Sequence, residues 1–398
     1  MSLLPVDEAV ARLLAGVAPL PAEDVPLAKA RGRVLAADLA ARLTQPPFPA
    51  SAMDGYAVRA AEAKAGARLK VAGMSRAGER FTGALRTGEA VRIFTGAPVP
   101  EGADAVLIQE NARREGDTVE VIEQVAAGRN IRTAGLDFRE GDIILNAGRM
   151  LDPHAISVAA AMGHASLPVR RKPRVAVLAN GDELVPPGAI PGPDQIVSSN
   201  GIGLAALVEE LGGEAVDLGI APDRREAIAA FVDRAASADI LVTTGGASVG
   251  EHDLMQDALT DRGLKLDFWK IAMRPGKPLM VGRLGDMRVL GLPGNPVSTF
   301  VCAHIFLKPL MRALLGLPLG ADLRTAKLAA PMRENDGRQD YVRARLRATA
   351  EGLEATPFDI QDSSMLSTLA AADALIVRPV RAPAAPAGTT VPVLLLHH

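Results

Sequence analysis

Aromatic residues and cysteine are scarce in this chain, and each shortage excludes a class of function. Only 3% of the residues are aromatic, too few for the stacking platforms that bind single-stranded nucleic acid. Cys302 is the only cysteine, which excludes a disulfide framework and a zinc site of the cysteine type. The formal net charge of −2 disfavours binding to nucleic acid through its phosphates. We therefore expect no nucleic-acid partner.

The chain also lacks the long apolar runs that membrane segments need. None of its apolar stretches approaches the about 18 residues of a membrane helix. Asp7 and Glu8 precede the first short apolar stretch, a pattern unlike that of a signal peptide. These features predict a cytoplasmic protein with no membrane partner.

Hydrophobic residues, glycine and proline are plentiful instead. The 398 residues are 48% hydrophobic, enough for large cores in about two to four domains. The 38 Gly and 29 Pro imply many tight turns between the elements of those domains.

The periodicity of the apolar residues changes along the chain. Apolar residues recur at helical spacing from Val6 to Leu14. Between about residues 46 and 140, short strand-like runs are separated by Gly, Pro and Asp, which predicts a β-rich module. From Val175 onward, strands alternate with helices of about 12 residues, a pattern typical of a mainly parallel α/β sheet. The β-like pattern returns after Leu317 and predicts a small barrel or sandwich.

A run of basic residues, Arg170–Pro173, precedes the alternating part of the chain. Such a charge run can bind an anion, but it more often forms a solvated hinge. We interpret it as a linker.

Three turns rich in Gly and Pro each follow an apolar run in the α/β part. They lie within residues 239–250, 274–278 and 289–296. A strand that ends in Gly-Gly leaves backbone N–H groups open to an oxyanion, and Lys270, Arg274 and Lys277 supply cations between these turns. Neither a Walker loop nor a dinucleotide-binding GxGxxG fingerprint occurs. The turns therefore predict an anion site at the carboxyl end of the sheet.

Four carboxylates are placed on turns rather than on helical faces: Asp54, Glu183, Asp223 and Asp253. Carboxylates at strand ends beside a phosphate site are the ligands that Mg²⁺ prefers. Each one also has a structural interpretation, since Asp223 can cap a helix, Asp54 can form a turn and Asp253 can charge a first helical turn. The spacing of these residues alone does not show that they converge. Thr95 likewise offers a hydroxyl at an ordinary turn.

Several long strings of residues resemble the molybdopterin molybdenumtransferase family, the bacterial MoeA proteins, whose relatives include the E domain of animal gephyrin. The similarity extends over nearly the whole chain. The strings that carry it are PPF at 46–48, SAMDGYAVR at 51–59, RIFTGAPVPEGADAV at 92–106, NIRTAGLDFREGD at 130–142, ANGDEL at 179–184, TTGGASVGEHD at 243–253, FWKIAMRPGKP at 268–278 and GLPGNPVS at 291–298.

The resemblance implies a fold class and an activity. The fold is multidomain α/β plus β: an elongated, four-domain chain in a homodimer whose active site lies between subunits. The implied domains are a helical linker and dimerisation domain at 1–45 with 141–170, a β-rich second domain at 46–140, a molybdopterin-binding α/β domain at 171–317 and a C-terminal β domain at 318–398. The activity is Mg²⁺-dependent insertion of molybdate into adenylylated molybdopterin, with release of AMP.

The resemblance also implies roles for individual residues. The implied catalytic residues are Asp54, Thr95, Asp137, Glu183, Asp223, Asp253 and Lys270. Those implied to bind the pterin, the pyrophosphate or molybdate are Gly245, Gly246, Ser248, Pro293, Gly294, Asn295, Pro296, Arg274, Lys277, Ser298, Arg338 and Ser363. Asp253 and Glu183 are the implied Mg²⁺ ligands. Many relatives carry Lys where this chain has Arg274, and Arg can hold an oxyanion through two parallel N–H groups.

Two other functions fit parts of the sequence. The α/β domain alone is similar to molybdopterin adenylyltransferases, but those lack the flanking domains that carry SAMDGYA and TGAPVP. A scaffold like the gephyrin E domain is the other alternative, yet a scaffold has no physical need for carboxylates beside an anion site. If the chain is a molybdenumtransferase, we also expect a transient contact with a molybdopterin adenylyltransferase.

Overall fold

The computed structural model describes residues 3–245, 254–319 and 322–396. Within them the chain divides into two compact units. The small unit comprises Asp24–Arg31 and Ala37–Pro168. The large unit comprises Met1–Glu23, Gly32–Ala36 and Val169–His398. Gly246, Ser248 and Asp253 lie outside the described residues.

Helices and strands occur in both units, and strands predominate in the small one. The described helices are α1 Val6–Leu14, α2 Pro153–Ala161, α3 Asn200–Glu210, α4 Arg225–Asp233, α5 Leu254–Asp261, α6 Pro296–Cys302, α7 Lys308–Leu315 and α8 Leu366–Ala370. The first strands are β1 Ala22–Pro26, β2 Leu39–Ala40, β3 Ala50–Ser51, β4 Gly55–Val58, β5 Arg68–Ser75, β6 Glu89–Ile93, β7 Ala105–Ile108, β8 Ala112–Glu115, β9 Thr118–Val121, β10 Ile131–Arg132, β11 Ile143–Leu145 and β12 Ser166–Arg170. They are followed by β13 Arg174–Asn180, β14 Leu184–Val185, β15 Ile196–Val197, β16 Glu214–Ala221, β17 Ile240–Thr244, β18 Lys265–Lys270, β19 Met273–Arg274, β20 Pro278–Leu284, β21 Met287–Leu292, β22 Leu323–Leu328, β23 Gln339–Thr349, β24 Gly352–Pro357, β25 Ala374–Arg378 and β26 Thr390–Leu395.

A mixed six-stranded sheet forms the core of the small unit, in the order β7–β4–β6–β5–β9–β8. The central strand β4 is buried along its whole length. Gly55, its first residue, passes so close to the backbone oxygen of Leu107 that a Cβ atom there would collide with it. The β-rich module predicted from the sequence is therefore confirmed, with glycine required where two strands approach closely.

The large unit contains a six-stranded sheet in the order β16–β13–β17–β21–β20–β18. The pairs from β16 to β21 are parallel, and β20 and β18 are antiparallel additions. The predicted mainly parallel α/β domain is thus present, with an antiparallel edge. Its central strands read as continuous apolar runs because both faces are covered.

Alternate residues of these strands face two separate cores. Val175 and Val177 of β13 pack in a core with α3 and the helix that follows β21. Ala176 and Leu178 of the same strand pack in a core with α4 and α5. The period of two along a strand sends successive side chains to opposite faces, which explains both cores from one sequence run.

A continuous helical segment runs from Pro296 to Leu315, with a π turn at Ala303–Leu307 between α6 and α7. Pro296 occupies the first turn, where a missing N–H costs nothing, and Gly316 ends the helix in the left-handed conformation. By length and composition it is the one described helix that could cross a membrane, but 67% of its apolar window is buried inside the protein. It is a core helix of the large unit.

The C-terminal strands of the large unit form a closed five-stranded barrel. The order is β23–β24–β22–β26–β25, and β25 pairs again with β23 to close it. The short strand β19 pairs with β23 from outside this ring. The prediction of a small β-barrel after Leu317 is confirmed.

Two local interpretations made from the sequence were wrong. Arg170–Pro173 is not a solvated hinge: Arg171 donates two hydrogen bonds to Asp239 (2.8 and 3.0 Å), and Arg170 donates to the carbonyl oxygens of Leu20 and Ala36. Asp223 does not cap α4, because that helix begins at Arg225 with Arg224 as the N-cap. In both cases the side chain forms hydrogen bonds with a residue far away in the sequence, whereas its sequence neighbours had suggested a local role.

The packing of β21 yields a stability prediction. Leu290 is fully buried in the central part of the sheet, so Leu290→Ala should lower the free energy of unfolding of the large unit by about 2–5 kcal/mol. Leu266 on the edge strand β18 is 42% exposed, and Leu266→Ala should change it by less than about 0.5 kcal/mol. Hydrogen exchange of the β21 amides measures this difference. Equal protection in the two variants would contradict the assignment of Leu290 to the core.

Candidate functional site

Asp54 and Thr95 are brought together by the pairing of two strands in the small unit. Asp54 precedes the start of β4, and Thr95 follows the end of β6 by two residues. Because β4 and β6 are antiparallel with Gly55 opposite Ile93, the two residues meet at one edge of the sheet. The Asp54 Oδ1 atom accepts hydrogen bonds from the Thr95 backbone N–H and hydroxyl, each at 2.8 Å.

These hydrogen bonds fix the charge state of Asp54. The backbone N–H of Thr95 and then its hydroxyl lower the pKa of the Asp54 carboxyl, and Arg92 lowers it further. Arg92 is itself held between the rings of Tyr56 and Phe94, with its guanidinium carbon 5.1 and 4.9 Å from their centroids. The site therefore presents an ionised carboxylate whose second oxygen, Oδ2, accepts no hydrogen bond from the described residues.

Asp137 belongs to the same unit but makes no side-chain hydrogen bond with Asp54 or Thr95 among the described residues. Its backbone N–H donates to the carbonyl oxygen of Gln45 at 3.0 Å, and its side chain is exposed. The predicted roles of Asp54, Thr95 and Asp137 as one catalytic set remain predictions.

The large unit contains a cavity of about 740 Å³ at the carboxyl ends of β13, β17 and β21. We call it the glycine cavity. Its lining combines small, polar and apolar residues: Asn180, Glu183, Leu184, Ile196, Val197, Ser198, Ser199, Asn200, Thr244, Gly245, Pro278, Pro293, Gly294, Asn295, Pro296, Ser298, Ser364 and Leu366. Six of the predicted binding residues therefore line one cavity, and Glu183 is the one charged residue of this described lining.

The walls of the glycine cavity are held by hydrogen bonds between loops. Gly245 has φ +88°, and a Cβ atom there would collide with the backbone oxygen of Asn180, so glycine is required. Asn200 Nδ2 donates to the carbonyl oxygen of Gly294 at 2.7 Å. Asn295 Nδ2 donates to the Ser363 hydroxyl at 2.8 Å. The backbone around Gly294 is thereby fixed from both sides.

Asp223 has a positioning role in this wall. Its Oδ1 atom accepts from Asn180 Nδ2 at 2.9 Å, and its backbone N–H donates to Asp182 Oδ1 at 3.0 Å. Asp223 does not appear in the described lining of the cavity. Within the described residues it therefore orients Asn180 and the loop that carries Glu183.

A second cavity of about 560 Å³ adjoins the first, sharing Pro278 and Ser298 with it. We call it the cationic cavity. It lies between the loop after β19 and the barrel, and its lining includes the predicted oxyanion residues Arg274, Lys277, Ser298, Arg338 and Ser363. Lys277 is exposed and forms no ion pair with a described residue. Arg343 also lines this cavity, but its guanidinium donates to Gln361 and to backbone carbonyls, so it is structural.

Arg274 is already engaged by the barrel. Its guanidinium forms ion pairs with Asp336 (3.1 Å) and Asp340, and it reaches Asn335 Oδ1 at 3.4 Å. The hydrogen bond to Asp340 and the negative charges beside it raise the pKa of Arg274 above its ordinary value. Both terminal nitrogens of the Arg274 guanidinium therefore have protein partners in this structure.

Lys270 is exposed at the end of β18 and does not line either cavity in the described part of the chain. Of the two predicted Mg²⁺ ligands, Glu183 lines the glycine cavity, and Asp253 lies outside the described residues. No group of three or more His, Cys, Asp or Glu side chains within metal-binding reach occurs among the described residues.

Sequence reasoning missed Asp336 and Asp340. They flank Arg338 in the string Asn335-Asp-Gly-Arg-Gln-Asp340, so alternating charge beside a candidate cation was the available signal. It did not reveal that both carboxylates pair with Arg274, more than 60 residues earlier. Cys302 is buried, and its burial raises the pKa of the thiol.

The Asp54–Thr95 contact makes a pH prediction. Thr95→Ala removes the hydroxyl donor but keeps the backbone N–H, so the Asp54 pKa should rise part of the way toward its ordinary value of 3.8. Because the folded pKa of Asp54 is depressed, the contact stabilises the fold above the unfolded pKa, and this contribution is lost as the pH falls through the folded pKa. Carbon NMR titration of the carboxyl measures the change. Thr95→Ser is the control, and an unchanged pKa in Thr95→Ala would contradict a role for the hydroxyl.

Comparison with known proteins identifies the family to which the chain belongs. Residues 4–163 match the MoeA N-terminal region (domain I and II), residues 176–313 a probable molybdopterin binding domain, and residues 325–396 the MoeA C-terminal region (domain IV). A molybdopterin molybdenumtransferase of Haemophilus influenzae is 35% identical over 406 residues, covering 100% of this chain and 99% of its own. Molybdopterin molybdenumtransferase 2 of Mycobacterium tuberculosis is 39% identical over 335 residues, covering 81% and 82%.

A solved structure agrees over the same span. The molybdopterin biosynthesis MoeA protein of Pyrococcus horikoshii superposes with a TM-score of 0.86 at 30% identity, covering 99% of this chain and 100% of that one. The α/β sheet, the closed barrel and the β-rich small unit are thus accounted for by one four-domain fold. The chain belongs to the MoeA family of molybdopterin molybdenumtransferases.

Proposed function

We propose that this protein inserts molybdate into adenylylated molybdopterin and releases AMP, in the biosynthesis of the molybdenum cofactor. The observation that carries the proposal is the pair of adjoining cavities in the large unit. One is wide, lined with glycine and serine, and has a single carboxylate in its described lining; the other presents cationic side chains. A pterin nucleotide and a small oxyanion need two such neighbouring sites.

The glycine cavity suits the larger substrate. Its volume of about 740 Å³ falls within the range of small-molecule sites. Gly245 and Gly294 carry no side chain that would block a pyrophosphate from the backbone. Pro296 and Ser298, in the first turn of the helix that follows β21, also line this cavity, and the positive end of a helix dipole favours anions.

The cationic cavity suits molybdate. Lys277 supplies a positive charge with no protein partner among the described residues, and Ser298 and Ser363 supply hydroxyls. Because Ser298 belongs to both cavities, an oxyanion bound beside it lies next to the substrate in the glycine cavity. That arrangement would direct a molybdate oxygen at the adenylyl phosphorus. Attack there would break the pyrophosphate bridge with the molybdopterin phosphate as the leaving group, and water would then hydrolyse the new bond between the adenylyl phosphorus and the molybdate oxygen, which releases AMP.

Mg²⁺ fits the donor chemistry at the rim of the glycine cavity. Glu183 is exposed there, and Mg²⁺ is commonly held by one or two carboxylates together with substrate phosphates. Glu183 and Asp253 would hold the ion, which would neutralise charge on the pyrophosphate when bound. The Asp182 carboxylate already accepts a hydrogen bond from the backbone N–H of Asp223, and the Asp223 carboxylate accepts one from Asn180 Nδ2.

We further propose a cytoplasmic homodimer with active sites shared between subunits. Asp54, Thr95 and Asp137 lie in the small unit, whereas the two cavities belong to the large unit. In the dimer implied by the family, the small unit of one subunit would complete the site of the other. The ionised Asp54 carboxylate would then face the pyrophosphate and its metal ion.

The function is tested by measuring AMP release from adenylylated molybdopterin with Mg²⁺, with and without molybdate. We expect release that depends on molybdate. Lys277→Met should raise the KM for molybdate about 10- to 150-fold, since a charge-assisted contact contributes about 1.5–3 kcal/mol, and should leave the affinity for the nucleotide unchanged. The exposed Lys172→Met is the matched control. Release without molybdate, or an unchanged KM in Lys277→Met, would contradict the proposal.

A heterodimer tests the shared site. In a dimer of one Asp54→Ala subunit and one Glu183→Gln subunit, a site shared between subunits leaves about half of the sites intact, because one site carries both substitutions. Both homodimeric variants should be inactive. Mass spectrometry establishes that the mixed dimer has formed, and AMP release measures its activity. No activity in a verified heterodimer would place both residues in the site of the same chain.

A further inference from the structure

The carboxylate of Asp336 occupies the position between two candidate oxyanion-binding arginines. Its Oδ2 atom lies 3.1 Å from Arg274 Nη1 and 3.3 Å from Arg338 Nη2. Its Oδ1 atom accepts from the backbone N–H of Arg338 at 2.9 Å. The side chain thus makes the contacts that a bound oxyanion would make with the same donors.

The loop that carries Asp336 is braced by Asn335. Asn335 is 9% exposed, and its Nδ2 atom donates to the carbonyl oxygens of Arg338, Arg378 and Pro379 at 2.7–3.1 Å. The carbonyl oxygen of Asp336 also accepts from the backbone N–H of Arg381 at 2.7 Å. The backbone is therefore held by several hydrogen bonds, whereas the Asp336 side chain is held, within the described part of the chain, only by its contacts with Arg274 and Arg338.

The two carboxylates on Arg274 are unequal. The side chain of Asp340 is 13% exposed, whereas that of Asp336 is 48% exposed. Removing a buried partner from a charge is costly, while an exposed ion pair contributes little. An incoming oxyanion would therefore displace Asp336 and leave Arg274 anchored on Asp340.

We propose that Asp336 is a tethered competitor for the oxyanion of the reaction: its carboxylate fills the donors of Arg274 and Arg338 until a more highly charged ligand displaces it. This inference rests on the proposed function, because it takes the cationic cavity to be the molybdate site. Asp336 sets the concentration at which the oxyanion enters. A competitor of this kind weakens every ligand of the empty site by the same factor.

Calorimetric titration of the full-length protein with sodium molybdate, sodium tungstate and sodium sulfate tests this role. Asp336→Asn keeps the shape of the side chain and removes its charge, so it should tighten all three Kd values by a similar factor of about 2–5. Glu334→Gln is the matched control, because Glu334 is exposed on the same loop and forms no ion pair with a described residue. It should change the three Kd values less than about twofold.

Kinetics separate competition from a structural role. Asp336→Asn should lower the KM for molybdate by the same factor as the Kd and leave kcat unchanged, with an unaltered midpoint of thermal unfolding. Kd values in Asp336→Asn that equal those of Glu334→Gln, or that are weaker, would overturn the proposal even if AMP release depends on molybdate. Tighter oxyanion binding without AMP release would retain the competitor and reject the transferase function.

Discussion

The contact between β19 and β23 is the constraint on which the site of the large unit depends. β19 pairs in parallel with the start of β23, so that Met273 lies opposite Gln339 and Arg274 opposite Asp340. The ion pair between Arg274 and Asp340 reinforces this short ladder. This pairing holds the loop that carries Lys277 beside Arg338, and the hydrogen bond from Asn295 to Ser363 adds a second connection to the same region. The cationic cavity forms where β19, which lies in sequence between β18 and β20 of the α/β sheet, pairs with the barrel strand β23.

The two cavities divide the chemistry of the site. Glycine and proline turns form one wall where backbone must approach a ligand, and a charged side chain there would fill the space that the ligand needs. Cationic side chains line the cationic cavity instead, where Asp336 and Asp340 balance the charge of Arg274. Positive charges clustered without such partners would repel one another. The cost of assembling a cationic site is therefore offset inside the same unit.

Much of the fold followed from local patterns, because its strands and helices have strong periodicity. The run from Val6 to Leu14 is helical over its predicted length, and the strand Ala105–Ile108 lies in the segment that was predicted to be β-rich. The glycine and proline turns that line the glycine cavity were predictable because the carboxyl ends of parallel strands meet at one edge. The partners of Arg274 were not, since they come from a barrel loop more than 60 residues later. Periodicity does not encode contacts of that kind.

The same contact changes how Arg at position 274 is explained. From the sequence, its advantage over Lys was a two-pronged hold on an oxyanion. In the structure, one terminal nitrogen faces Asp340 and the other faces Asp336. Lys, as a single point charge on a flexible stem, has no planar fork to fix both carboxylates at once. Arg274 therefore serves first as a clamp between the α/β sheet and the barrel. It can contribute to oxyanion binding only through the nitrogen that Asp336 releases, so the clamp and the entry of the ligand are coupled through one guanidinium.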